Sequence, residues 1–195
     1  MTDILRCSWA LRSPAETAYH DAEWGVPRFD DAAQFEFLVL ESAQAGLSWT
    51  TILNKREGYR CAFAGFDPHK VAAFGPADVE RLMGDSGIVR NRKKIESAVR
   101  NARLFLELAA KHGSFAAWIW NFVDGRPLVN HWERMEDVPA TTALSDQVAK
   151  ELKKLGFSFL GSTVIYAHMQ ATGLVNDHLV SCFRHAECCG GSFLP

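Results

Sequence analysis

The feature that most constrains this chain is the run ending at Leu40, where Phe35, Phe37, Leu38, Val39 and Leu40 leave a helix almost no polar side. A helix that is apolar all round has to be buried, so the remaining elements are expected to wrap around it. Asp31 followed three residues later by Gln34 predicts its start as a capping box. Near its end Glu41 shares a face with Phe37, Leu38 and Ala45 at three- and four-residue spacing. A carboxylate aimed at apolar neighbours needs a partner, from the protein or from a ligand. One reading is a helix-end glutamate that caps an amide or pairs with an arginine; the other is a group waiting for something outside the chain. Gly46 then predicts a tight turn and Trp49 the start of another helix.

A chain of 195 residues, 48% apolar, is long enough for one sizeable core, and a single domain over 1–195 is expected. The net charge of −2 gives no global attraction to nucleic acid, so such a role must rest on a local basic patch. Met1 to Cys7 contains no long apolar run and no small-residue cleavage site, and nowhere do about 18 apolar residues run together. The protein is therefore expected to be soluble and cytoplasmic, with no membrane and no obligate protein partner called for. Five cysteines is an odd count that argues for buried thiols or metal ligands rather than a disulfide framework.

In chain order, an aromatic-rich segment with Trp9, Tyr19 and Trp24 precedes the apolar helix. Ser48 predicts a cap for a helix to about Tyr59. Asp67-Pro68 and Gly75-Pro76 each open another, with proline at the first helical position where its missing amide costs nothing. Ser114 caps an aromatic helix, Ser145 a lysine-bearing one ended by Gly156, and Ser162 or Thr163 begins the next. A final helix from about Asn176 or Asp177 would carry His178 and Cys182. No alternating strand of convincing length is evident, so the fold class expected is all-α.

Two patterns carry chemistry. Between about 78 and 111 a short helix, a glycine turn at Gly87 and a long helix succeed one another, and Arg90, Arg92, Lys93 and Lys94 cluster there without an acid among them. A turn leading into a helix N-terminus can cradle a phosphate, and the cations supply sequence-independent DNA binding. The alternative is a solvated basic face. The second pattern is His178 and Cys182, four apart and able to share a metal on a helix. Cys7 and His20 would complete a four-ligand zinc set tying the two ends of the chain together, although Cys188 or Cys189 could stand in for a ligand.

The strings Cys7-Ser-Trp9, Ala18 to Pro27, Glu41 with Gln44 to Trp49, Gly87 to Ile95, and Gly173 to His178, in this order, resemble the DNA-3-methyladenine glycosylase I family over nearly the whole chain. The resemblance implies a helix-hairpin-helix DNA glycosylase fold with structural zinc on Cys7, His20, His178 and Cys182. It implies action on alkylated double-stranded DNA: the N-glycosidic bond of 3-methyladenine is hydrolysed after the base is flipped out. By the same likeness Glu41 is the catalytic carboxylate and hydrogen-bonds the flipped base, and Trp49 stacks on it, an indole favouring a cationic ring. Tyr19 supplies a further wall beside ligand His20. Leu47, at the tip of the turn, is placed to wedge into the gap left by the base, the alternative being simple packing between helices.

The chain departs from the family pattern where Glu16 stands three residues before Tyr19, a position that can hold a second tyrosine. Nor is there a convincing equivalent of the aspartate that many helix-hairpin-helix glycosylases carry after the hairpin; Asp124 is the nearest. Two other classes compete with the glycosylase. A non-catalytic DNA-binding module would be indifferent to Glu41→Gln, and a zinc hydrolase would need an open coordination position.

Overall fold

A computed structural model describes residues 4–189; the expected single domain extends beyond them at both ends. Ten α-helices account for most of that span. They are α1 (Pro14–Ala22), α2 (Asp31–Gln44), α3 (Trp49–Ala62), α4 (Pro68–Ala72), α5 (Pro76–Gly84), α6 (Arg92–His112), α7 (Phe115–Trp120), α8 (Ala143–Lys154), α9 (Ser162–Ala171) and α10 (Phe183–Cys189). Two short strands, β1 (Leu128–Val129) and β2 (Val175–Asn176), pair in parallel. They are too short to leave an alternating signature in sequence. No helix among the described residues is long and apolar enough to cross a membrane.

The apolar helix α2 lies at the centre, buried from Gln34 to Ala43, and packs against α3, α6, α7 and α9. Its start differs by one residue from the sequence expectation. Asp30, not Asp31, is the cap and accepts from the Ala33 amide at 2.8 Å. Asp31 instead accepts from the amides of Phe115 and Ala116, at 3.2 and 2.8 Å, and so caps α7 from across the core. Gln34 turns inward, where its Nε2 donates to the Arg28 carbonyl at 2.7 Å and its Oε1 meets His168 Nε2 on α9 at 2.8 Å. Burial pushes the His168 pKa down to about 3, so it is a neutral strut between helices.

Ser48, Ser114, Asp67-Pro68 and Gly75-Pro76 open α3, α7, α4 and α5 as expected. Helix α8 is capped by Thr142 rather than Ser145, which sits at the third position and bonds back to Thr142 in a reciprocal box. The final helix is the larger correction. Residues 175 and 176 are extended against β1, and α10 begins only at Phe183, so His178 and Cys182 lie in a turn segment. The reason is lateral pairing: Leu128 donates to the Leu174 carbonyl and Asn130 to that of Asn176, which consumes backbone groups a helix would need.

A second apolar cluster, apart from the core around α2, gathers Cys7, Tyr19, Trp24, Phe37, Ala171, Leu179 and Cys182. The N-terminal segment is thereby laid over the end of α9 and the turn that follows it. Gly173, at φ +72°, lets this happen: a Cβ there would lie 2.4 Å from the Pro27 nitrogen.

Candidate active site and metal centre

The floor of the principal pocket is the C-terminal turn of α2. Glu41 is 4% exposed and its carboxyl group has no hydrogen-bond partner among the described residues. Desolvation pushes its pKa up to about 8. The pocket, of about 230 Å³, is walled by Trp9 from the N-terminal segment, Glu16 and Tyr19 from α1, Trp49 from α3 and Gln170 from α9. The rings of Tyr19 and Trp49 lie 5.3 Å apart at 54°. Tyr19 Oη and Trp49 Nε1 are buried and unpartnered. A pocket whose buried hydroxyl, indole N–H and carboxyl group all lack partners is incomplete without a polar, flat ligand. Of the site residues singled out in the sequence, Tyr19 and Trp49 line its walls and Glu41 its floor. The sequence carried no signal for Gln170, and Glu16 entered only as a departure.

Glu16 is 2% exposed and accepts from the Thr50 hydroxyl at 2.8 Å, at the first turn of α3 beside Trp49. It is a fixed wall rather than a loose charge. A second cavity adjoins on the other side of Glu41 and is lined by Gly46, Leu47 and Thr163. Gly46, at φ +81°, makes the turn that a side chain would strain, and leaves Leu47 41% exposed at its tip.

The hairpin between α5 and α6 is braced against α3. Lys55 Nζ donates to the Ser86 carbonyl at 2.7 Å, and Val89 donates to Tyr59 Oη at 3.2 Å. Gly58 permits the contact, since a Cβ there would lie 2.3 Å from the Gly87 carbonyl oxygen. The four clustered cations are not equivalent. Arg90 and Lys93 are exposed and make no ion pair among the described residues. Arg92 pairs with Glu80 across the hairpin at 2.8 Å. Lys94 points inward, and its Nζ donates to the carbonyls of Ala43 and Ala45, at 2.8 and 2.6 Å, where the end of α2 favours a cation. The Gly87 amide donates to Asp85 Oδ1 at 2.7 Å. These bonds account for Lys94 and Gly87 within the fold: they set the hairpin and the Leu47 turn. Asp124, in a left-handed conformation after a short 3₁₀ turn, is exposed and is not among the residues lining the pocket.

The four residues singled out as metal ligands converge. One donor atom from each of Cys7, His20, His178 and Cys182 lies within 4.8 Å of all the others, and all four residues are buried. Cys182 Sγ is 3.4 Å from His20 Nε2 and 3.6 Å from His178 Nδ1, and Cys7 Sγ is 3.8 Å from His178 Nδ1. Tetrahedral zinc, with bonds of about 2.0 to 2.3 Å, spaces its ligands about 3.5 Å apart. The remaining histidine nitrogens are held from behind, His20 Nδ1 by Asp21 at 2.8 Å and His178 Nε2 by the Trp24 carbonyl at 3.0 Å. Such outer contacts fix the ring nitrogen that faces a metal. The Cys182 thiol is held well below its ordinary pKa, first by a hydrogen bond from Cys7, and the Cys7 thiol is raised correspondingly. Cys188 and Cys189 stand outside the cluster.

A mostly helical scaffold with a braced hairpin and a carboxyl-floored aromatic pocket matches one described class of protein. The methyladenine glycosylase family model covers residues 9–185, and the chain belongs to that family. It is 49% identical over 177 residues to DNA-3-methyladenine glycosylase 1 of Escherichia coli (strain K12), spanning 91% of this chain and 95% of that protein. It is 45% identical to DNA-3-methyladenine glycosylase of Haemophilus influenzae (strain ATCC 51907 / DSM 11121 / KW20 / Rd), over 91% and 96% of the two chains. A tyrosine-to-phenylalanine variant of 3-methyladenine DNA glycosylase I, solved with 3-methyladenine, superposes with a TM-score of 0.88 at 39% identity, over 91% of this chain and 96% of that one.

Proposed function

We infer that this chain is a base-excision DNA glycosylase, one domain in extent, that hydrolyses the N-glycosidic bond of 3-methyladenine in alkylated double-stranded DNA. The observation that carries this is a pocket in which buried Glu41, perturbed by desolvation alone, lies with the unpartnered Tyr19 Oη and Trp49 Nε1, in a chain nearly half identical to enzymes so named. Alkylation at N3 makes the adenine a cation and already a good leaving group. The enzyme's task is then to find that base and reject ordinary adenine. Glu41, whose pKa burial pushes up to about 8, is mostly protonated at neutral pH. The charge of a cationic base lowers that pKa, so Glu41 releases its proton to water and pairs with the base as a carboxylate, whereas neutral adenine gives no such shift. Trp49 stacks on the same cation. Ionised Glu41 then stabilises the positive charge developing on the sugar as the bond breaks.

Exposed Leu47 is the wedge that fills the vacated stack. Arg90 and Lys93 supply phosphate contacts, Arg92 joins them from its exposed pair, and Gly87 and Lys94 hold the hairpin and turn in register for the backbone. A cytoplasmic location accords with the five free cysteines. Incubating the protein with alkylated duplex DNA and identifying released bases by chromatography tests the function. Wild type is expected to release 3-methyladenine, and Glu41→Gln to do so at least 100-fold more slowly, the scale of a lost electrostatic stabiliser. Duplex binding without base release would favour the non-catalytic module.

Cys7, His20, His178 and Cys182 are proposed to hold a structural zinc, which would bind the chain ends and keep Tyr19, next to His20, at the pocket wall. Four protein ligands leave no open position, which speaks against zinc hydrolase chemistry. Metal analysis is expected to give one zinc per chain. Cys7→Ser is expected to lose it and to melt at a markedly lower temperature.

A further inference from the structure

Resting on the function proposed above, we infer that Gln170 determines specificity in this pocket, with Asp177 positioning it so that its amide oxygen, an obligate acceptor, faces the base. Asp177 is 1% exposed and lies just before ligand His178. Four neutral donors converge on it: Asn130 Nδ2 at 2.7 Å and Trp132 Nε1 at 2.8 Å on Oδ1, Tyr166 Oη at 2.6 Å and Gln170 Nε2 at 2.8 Å on Oδ2. The two ends of a glutamine amide differ in kind, one donating and one accepting. Because Asp177 supplies acceptors, the NH₂ end of Gln170 is fixed upon it. The oxygen is then the end left without a hydrogen-bond partner among the described residues, on a side chain that lines the pocket.

The consequence concerns the edge of the base. Gln170 offers an oxygen to the pocket, and a base with an exocyclic amino group there answers with an N–H donor. A base with a carbonyl at that position brings oxygen against oxygen and leaves buried acceptors unsatisfied, the costliest kind of mismatch in a dry site. Asp177 thus sets, through one rigid amide, which of two otherwise similar alkylated purines is accepted.

The test compares binding of two free bases, 3-methyladenine and 3-methylhypoxanthine, by the fluorescence of the pocket tryptophans, beside the base-release assay on alkylated DNA. Wild type is expected to prefer 3-methyladenine. Gln170→Met is expected to weaken 3-methyladenine about tenfold, the scale of one hydrogen bond, while leaving 3-methylhypoxanthine unchanged, so that the ratio contracts. A merely structural role would weaken both alike. Asp177→Asn lets the Gln170 amide reverse and is expected to move the ratio further toward the oxo base; should it fail to fold, Gln170→Met alone decides. A folded Gln170→Met protein with an unchanged ratio, in a background where wild type releases 3-methyladenine from DNA, overturns this inference alone. Wild type that neither binds 3-methyladenine nor releases it overturns the function, and the inference falls with it.

Discussion

The socket around Asp177 and the pocket floor around Glu41 each bury a carboxyl group almost completely, yet one is surrounded by four donors and the other by none. Where the donors are supplied by the chain, burial of a polar group locks neighbouring segments together. Asn130 and Trp132 from the strand connection, and Tyr166 and Gln170 from α9, are all tied to one residue. Where the donors are withheld, the same burial raises a pKa and stores a demand for a ligand. The two carboxyl groups show that burial alone does not distinguish structure from function; the count of partners does.

The largest effect should come from emptying the socket. Asp177→Ala strands four buried donors and is expected to cost about 3 to 5 kcal/mol or to prevent folding, read by denaturant unfolding. Glu41 should show the opposite sign. Its folded pKa, near 8, lies above its unfolded value of 4.5. Its contribution to stability is therefore fully present below about pH 4.5 and is lost as pH rises to about 8. Unfolding titrations should find wild type weaker at pH 8 than at pH 5 by about 2 to 4 kcal/mol, with that loss absent in Glu41→Gln. A smaller effect, sharpening the functional half of the comparison, is expected from Leu47→Ala. Stability should change by less than about 0.5 kcal/mol, while base release from duplex falls roughly tenfold, a wedge at the stack being worth on the order of 1 kcal/mol or more. Smallest of all, Lys93→Ala should leave stability unchanged and reduce the slope of log binding constant against log salt by about one.

Much of this was legible from local chemistry. The buried helix announced itself because Phe35 to Leu40 leave no polar face, and the turn and stacking residues because Gly46 and Trp49 follow Glu41 directly. The ligand set of the proposed metal centre was legible as residue types, although not as geometry. His178 and Cys182 were placed on a helix by their spacing, whereas the pairing of β2 with β1, 47 residues away at Leu128↔Val175, holds that segment open. Lys94 read as one of four equivalent surface cations, because nothing within its own helix reveals that the end of α2 arrives beside it. Gln170 left no signal, and Asp177 read only as a candidate helix start within the Gly173 to His178 string. Their roles arise from donors contributed by residues 130, 132 and 166, and a partnership of that kind has no period or motif.

The convergence of Cys7 on Cys182 bears on the order in which the molecule can assemble. Helices α2, α3 and α6 can begin to pack once residue 112 has left the ribosome. Tyr19 can pack on Phe37 and Trp49 at that stage, but its neighbour His20 meets His178 and Cys182 only when the segment after β2 follows, some 70 residues later. At synthesis rates of about 5 to 20 residues per second, the nascent chain spends several seconds with only part of its core packed and the Cys/His cluster incomplete. A chain that stops before Cys182 therefore lacks one of the four residues that converge on the N-terminal segment.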